Sequence, residues 1–334
     1  MSITIMEAEE QEGHPHMAMF MVLGHLQLYE ILNMSGVCKS LLDAVNSDIL
    51  LWHRLIVESP LNSKLTDESL LKITSKADGR LKTLALMNCI HITDQGLLRV
   101  VEQNPYIKEL HIPACTSITP EGILKVVEAL SRRSNCLTNL SINGIYNLQK
   151  EHYHMLVLNL RKNLTLETEQ TQPPFYYHIQ FEHNVVLASN LRLDYDEKMQ
   201  QPVYYHKRSS VSSFEQGENR RIIDLEICPK CVEVRMVYDC PKVDCCKRKE
   251  CKGCIFCIPR CENCGGCVGS EEPEEGACGD ILCLECWLQV PKCNFCNKPY
   301  CKQHTDWWCT STDSSLLCRV CDENSHGYTY TDVL

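Results

Sequence analysis

Residues 251–267 read Cys251-Lys-Gly-Cys254-Ile-Phe-Cys257-Ile-Pro-Arg-Cys261-Glu-Asn-Cys264-Gly-Gly-Cys267, six Cys in seventeen positions. A Cys-x-x-Cys turn aims two thiolates at one ion about 2.3 Å away, and two such turns complete a tetrahedron. The pattern extends in both directions. Upstream lie Cys228-Pro-Lys-Cys231, then Cys240, Cys245 and Cys246. Downstream come Cys278, Cys283-x-x-Cys286, Cys293-x-x-Cys296, Cys301-x-x-His304, Cys309 and Cys318-x-x-Cys321. One such pair would be weak evidence; nine paired steps between residues 228 and 321 point to structural Zn²⁺. The candidate ligands are Cys228, Cys231, Cys251, Cys254, Cys261, Cys264, Cys283, Cys286, Cys293, Cys296, Cys301, His304, Cys318 and Cys321.

Twenty Cys plus His304 make 21 potential ligands, so at most five four-coordinate ions. The last four pairs form a ladder that predicts a cross-brace: 283/286 with 301/304, and 293/296 with 318/321. An iron–sulfur cluster is the rival for the Cys251–Cys257 spacing, but the Cys-x3-Cys-Pro continuation it needs is missing. Four thiolates leave no open position for water, so the ions are expected to build a fold rather than catalyse. Large apolar residues are sparse here, and metal binding must supply the missing core. Trp287, Leu288, Trp307 and Trp308 are either exposed anchors or covers for the metal sites, the second reading being preferred.

Only Cys38, Cys89, Cys115 and Cys136 precede residue 228 in a chain of 334 residues, a length that suggests two or three domains. An apolar fraction of 44% excludes wholesale disorder. No apolar run approaches the roughly 18 residues of a membrane span. The acidic start MSITIMEAEEQEGHPH lacks a basic-then-apolar leader. The expectation is an intracellular protein, nuclear and/or cytoplasmic, whose reduced thiols bind metal rather than pair as disulfides. Net charge is −10, and residues 228–321 hold 12 Lys and Arg against 13 Asp and Glu before any tetrathiolate ion adds negative charge. Nucleic acid is therefore a disfavoured partner.

Toward the N-terminus, Met19, Val22, Leu23, Leu26, Leu28, Ile31 and Leu32 recur at helical spacing, as do Val37, Leu41, Leu42 and Val45, predicting three short helices. Then a frame repeats: Leu81-xx-Leu84-x-Leu86-xx-Cys89-xx-Ile92-Thr93-Asp94, Ile107-xx-Leu110-x-Ile112-xx-Cys115-xx-Ile118-Thr119-Pro120, and Leu137-xx-Leu140-x-Ile142-xx-Ile145. The offsets are 107 − 81 = 26 and 137 − 107 = 30, and Leu65-Thr66-Asp67 looks like the remnant of an earlier copy. This is the leucine-rich-repeat frame, one strand and one helix per copy, each burying its apolar edge against its neighbour. Cys89 and Cys115 read as packing, and His91 and His111 as surface or turn positions without chemistry.

The run from Pro15 through Leu23, Leu26-x-Leu28, Ile31-Leu32 and Val37-Cys38-Lys39 to Leu51-Trp52 resembles the F-box motif. His14 replaces the usual Leu before the Pro, and Leu41 stands where Trp is common. With the repeats and the Cys-rich tail, the chain is similar to plant F-box proteins of the Skp-interacting-partner group. That resemblance implies a non-catalytic receptor subunit of a Skp-adaptor–cullin–F-box ubiquitin ligase. Its adaptor contact would be formed by Pro15, Leu23, Leu26, Leu28, Ile31, Val37 and Cys38, and an unknown target would bind the repeats or the tail. Two alternatives are a self-sufficient RING-like zinc ligase and a zinc-dependent protein- or nucleic-acid-binding scaffold. The expected fold is multidomain α/β plus a small metal-bound module. Its parts are a disordered 1–13, a helical F-box 14–58, a short leucine-rich-repeat solenoid 59–165, an irregular connector or degenerate repeat 166–220, a C-terminal Cys-rich zinc-binding module 221–325, and a tail 326–334.

Overall fold

Three short helices open the described chain: α1 (Met17–Val22), which runs into a 3-10 turn, α2 (Leu28–Ser35) and α3 (Lys39–Ser47). The computed structural model describes residues 17–132, 137–161, 222–242, 245, 248–269, 274–300, 308–310, 316–319 and 321–322. Pro15, the expected connector 166–220 and the two expected termini, 1–13 and 326–334, lie outside these residues. The chain divides into two compact units, Met1–Thr165 and Leu166–Leu334. Among the described residues no helix is long and apolar enough to cross a membrane.

Helix α2 starts where the Gln27 backbone N–H donates to the Glu30 carboxylate at 2.8 Å, one half of a capping box. A 3-10 turn, Ile49–Trp52, follows α3, with the Asp48 carboxylate accepting the Leu50 N–H at 2.9 Å. The helical apolar positions converge inward: Leu23, Leu28, Ile31, Leu41 and Val45 are buried with Trp52. The Trp52 indole donates to the Val45 carbonyl at 2.9 Å, so its polar edge is satisfied in that core. The residues expected at the adaptor contact differ in exposure. Leu23, Leu28 and Ile31 are interior residues, Leu26 and Cys38 are half-buried, and Val37 alone of the described set is exposed.

From Trp52 the chain enters β1 (Arg54–Val57), first strand of a parallel sheet ordered β1-β2-β3-β4 with β2 (Thr83–Leu86), β3 (Glu109–His111) and β4 (Asn139–Ser141). Parallel neighbours need a crossover. Each strand is followed by one helix: α4 (Asp67–Thr74), α5 (Asp94–Gln103), α6 (Pro120–Ser131) and α7 (Lys150–Arg161). The copies align in space as in sequence, with Leu84 opposite Leu110 and Leu110 opposite Leu140. Cys89 and Cys115 are buried, and the Cys115 thiol donates to the Leu86 carbonyl at 3.3 Å. Strand β1 was expected inside the F-box segment 14–58 but belongs to this sheet, pairing Leu55 with Leu84 and Val57 with Leu86. His111 is also corrected: it lies in β3 and is buried, as are Thr83 and Ala85 of β2 and Met87 just after it.

One polar link recurs between copies. Asp67, first residue of α4, accepts the Thr93 N–H at 2.9 Å and its hydroxyl at 2.6 Å; Asp94 does the same for Thr119 at 2.8 and 2.7 Å. Each threonine caps its own helix by accepting the N–H of Gly96 or Gly122. Those glycines are required by contact, because a Cβ on Gly96 would sit 2.1 Å from Asp67 Cγ and one on Gly122 would sit 2.1 Å from Asp94 Cγ. The link stops where Pro120 replaces the aspartate; the Gln149 N–H before α7 donates instead to His152 Nδ1 at 3.2 Å. Gly96→Ala or Gly122→Ala should therefore destabilise the first unit by about 1–3 kcal/mol in denaturant titration. Gly24→Ala, with nothing within 4 Å of the added methyl, should be near neutral. Equal effects at all three positions would contradict the steric account.

Candidate metal centre

The second unit's described elements are short. β5 (Glu226–Ile227) pairs with β6 (Val234–Arg235), β7 (Glu274–Glu275) with β8 (Ile281–Leu282), and β9 (Trp308–Thr310) with β10 (Leu316–Cys318), all antiparallel. Helix α8 (Leu284–Gln289) begins directly after Cys283 and carries Cys286. Among the described residues sixteen thiols gather in four foursomes, the sulfurs of each within 4.8 Å of one another. Centre one is Cys228, Cys231, Cys254 and Cys257; centre two is Cys240, Cys245, Cys251 and Cys267. Centre three is Cys261, Cys264, Cys283 and Cys286; centre four is Cys293, Cys296, Cys318 and Cys321.

A tetrahedron with metal–sulfur bonds near 2.3 Å has an edge of about 3.8 Å. The Cys228–Cys257 distance is 3.9 Å and Cys231–Cys254 is 3.8 Å; Cys245–Cys267, Cys264–Cys283 and Cys296–Cys318 are each 3.7 Å. These are not disulfide lengths, and every one of these Cys is unbridged. The donor sets fit a four-coordinate thiophilic ion and are compatible with Zn²⁺. Such an ion would be held by all four sulfurs of a centre, closing it to water.

Local backbone geometry explains how a knuckle forms. In three of them the N–H one residue past the second Cys donates to the carbonyl of the first: Val232 to Cys228 and Asn297 to Cys293, both at 2.9 Å, and Gly265 to Cys261 at 2.8 Å. That residue has φ of 61°, 56° and 72° respectively. Gly and Asn tolerate the left-handed region, whereas a β-branched Val there is strained. Backbone N–H groups also reach the sulfurs, as from Cys254 to Cys228 Sγ at 3.4 Å and from Cys318 to Cys293 Sγ at 3.3 Å.

These donors act against burial. Burial raises the thiols of Cys228 and Cys293, but surrounding N–H groups outweigh it and bring both to about 6. Cys240 falls to about 7 the same way, and Cys261, held chiefly by the Cys264 thiol, to about 5. Each centre thus holds one thiol poised to ionise. Burial pushes others up, Cys286 to about 11 and Cys321 to about 12. At Lys242 burial pulls the ammonium down, but the thiols of Cys283, Cys264, Cys267 and Cys240 together hold it above its ordinary range.

Several ligand expectations change. Cys283 and Cys286 meet Cys261 and Cys264, not Cys301 and His304, which lie outside the described residues together with Cys246. Cys293 and Cys296 do meet Cys318 and Cys321. Cys240, Cys245, Cys257 and Cys267 were not among the candidate ligands. The signal for Cys257 and Cys267 was present, since each ends a Cys-x-x-Cys-x-x-Cys run, but such a run can be divided two ways. Trp287 is half-buried against the core of Val268, Leu282 and Val290 around centre three, with the Lys292 ammonium 4.3 Å from its ring centroid. It covers the centre, while Leu288 is exposed. Trp307 lies outside the described residues.

A family model described as "At3g27290 F-box protein C-terminal domain" matches residues 224–295, which span centres one to three. The chain is 38% identical over 305 residues to the F-box protein SKIP28 of Arabidopsis thaliana, covering 90% of this chain and 85% of that protein. It is 34% identical over 288 residues to F-box protein SKIP14 of the same plant, covering 85% of this chain but 56% of that protein. With the Arabidopsis F-box protein At3g27290 identity is 31% over 281 residues, 81% of this chain and 65% of that protein.

Ligand order makes a further difference among the centres. Cys251 of centre two precedes Cys254 of centre one, and Cys267 of centre two falls between Cys264 and Cys283 of centre three, so these three interleave. Centre four is contiguous. Cys251→Ser in the full chain should therefore lose more than one equivalent of bound metal by elemental analysis, and Cys318→Ser only one. Loss of a single equivalent from both would show the centres to be independent.

Proposed function

The chain belongs to the plant F-box proteins of the SKIP group, and from that membership we propose that it is the substrate-receptor subunit of a Skp-adaptor–cullin–F-box ubiquitin ligase. The observation that carries this reading is apolar surface left open on the N-terminal helices. Met21 is 79% exposed, Val37 68% and Leu50 73%, and Met19, Val22, Tyr29 and Leu42 are exposed as well, while Leu23, Leu28, Ile31, Leu41, Val45 and Trp52 form the core. Large apolar side chains left in solvent mark an interaction surface. The adaptor contact is then made by Val37 with Met21 and Leu50, while Leu23, Leu28 and Ile31 shape the helices that present them; Pro15, Leu26 and Cys38 complete the expected set.

The strand–helix copies from Arg54 to Arg161 are read as leucine-rich repeats and the four thiol foursomes as structural Zn²⁺ sites. With 21 − 16 = 5 potential ligands left over, the chain holds four or five ions. It works in the nucleus or cytoplasm, where thiols stay reduced. No residue of this chain performs chemistry on the target. Binding raises the effective concentration of target lysines beside a ubiquitin-charged partner. The buried side chains of Thr83, Ala85 and His111 on the sheet, with Met87 just beyond β2, favour the Cys-rich unit as the recognition surface.

Adaptor co-purification tests the assignment. Val37→Asp combined with Met21→Asp should weaken adaptor binding by at least roughly tenfold, about 1.4 kcal/mol, with circular dichroism unchanged. Undiminished binding would refute the surface. Ubiquitin chains formed by this chain with a conjugating enzyme alone would instead support the RING-like alternative.

A further inference from the structure

Among the described residues, Arg260 is the only Asp, Glu, Lys or Arg that is buried, with 3% of its surface exposed. Its Nη2 donates to the carbonyls of Tyr238 at 2.8 Å and Cys251 at 2.7 Å. Nε and Nη1 are buried with no hydrogen-bond partner. The ion pairs among the described residues are Arg132–Glu128, His152–Glu121 and Lys252–Glu226; none involves Arg260. A guanidinium cannot be taken out of water at tolerable cost without nearby negative charge.

Its backbone neighbours are ligand residues of two centres. Arg260 immediately precedes Cys261 of centre three, its backbone bridges to Cys267 of centre two, and the carbonyl it holds belongs to Cys251, also of centre two. A divalent ion in four thiolates leaves two net negative charges on each centre. We propose that Arg260 is the internal counter-charge of centres two and three, a positioning residue whose burial depends on their being metal-loaded and which in turn slows loss of their ions. The inference rests on reading the foursomes as metal sites. A second cation lies on the same pair of centres. The Lys242 stem crosses Gly266, between Cys264 and Cys267, so closely that a Cβ on that glycine would be 2.4 Å from Lys242 Cε.

Charge and hydrogen bonding can be separated by substitution in the full-length chain. Gln can donate to both carbonyls but is neutral; Lys keeps the charge without the fork. With Co²⁺ in place of the native ion, Arg260→Gln should release the ions of centres two and three to a chelator roughly ten- to a hundredfold faster, the ion of the contiguous centre four leaving at the wild-type rate. The thiolate-to-cobalt charge-transfer band of those two centres should shift, and Arg260→Lys should stay close to wild type in both readouts. Wild-type release from Arg260→Gln, or loss confined to Arg260→Lys, overturns the proposal. Should Arg260→Gln fail to fold, Lys242→Gln must still speed release from the same two centres, and unchanged release there also overturns it. A wild-type chain that binds no stoichiometric divalent metal removes the metal reading itself, a result distinct from normal metal content with unaltered release.

Discussion

The second unit is organised by the closeness of sulfur to sulfur. Sixteen thiols, in foursomes whose sulfurs lie within 4.8 Å of one another, replace the apolar interior that strands of two or three residues cannot build. Buried positions that Leu or Ile would occupy in an ordinary domain are taken by Cys228, Cys251, Cys254, Cys261 and Cys293. With an ion at each foursome, directional bonds to sulfur would do what area burial does elsewhere, and would specify partners more narrowly than apolar contact does. The cost appears in the backbone, where Val232 accepts a left-handed conformation to close its knuckle.

The first unit solves its packing differently, through one residue used twice. Trp52 ends the run that resembles the F-box motif, and it also stands where the repeat frame begins. Counting back 81 − 52 = 29 residues from Leu81 gives Trp52-xx-Leu55-x-Val57, whose last two side chains pair with Leu84 and Leu86. One face of that indole belongs to the helices through Val45, and the Lys76 ammonium lies 4.7 Å from its ring centroid. Helices and sheet therefore share that side chain within one compact unit, in which Trp52 supplies the missing start of the first copy.

Much of this was legible in the residues. The periodic apolar positions named the three helices, and the repeated frame located β2, β3 and β4. Strand β1 was missed because Trp and Pro occupy frame positions held elsewhere by Leu and Cys. Periodicity also shows which side chains share a face without saying whether that face turns inward; Leu23, Leu28 and Ile31, assigned to the adaptor contact by the resemblance, are buried. In the tail, Cys-x-x-Cys spacing picked out twelve of the sixteen Cys that the described foursomes contain. It could not identify Cys240 and Cys245, whose spacing is longer, nor choose how Cys251, Cys254 and Cys257 divide, because that depends on folding at a distance.

The interleaving of the centres also bears on synthesis. As the chain is made from its N-terminus, centre one becomes complete at Cys257, centre two at Cys267 and centre three at Cys286. When Cys257 emerges, seven of the eight sulfurs of centres one and two are already present, and Cys251, Cys254 and Cys257 stand as neighbours. The nascent segment therefore offers wrong foursomes before the right ones can all exist. Were metal taken up during synthesis, early contacts would have to remain exchangeable until Cys267 arrives, and the ordering of sulfurs along the chain would make ligand exchange a step in maturation.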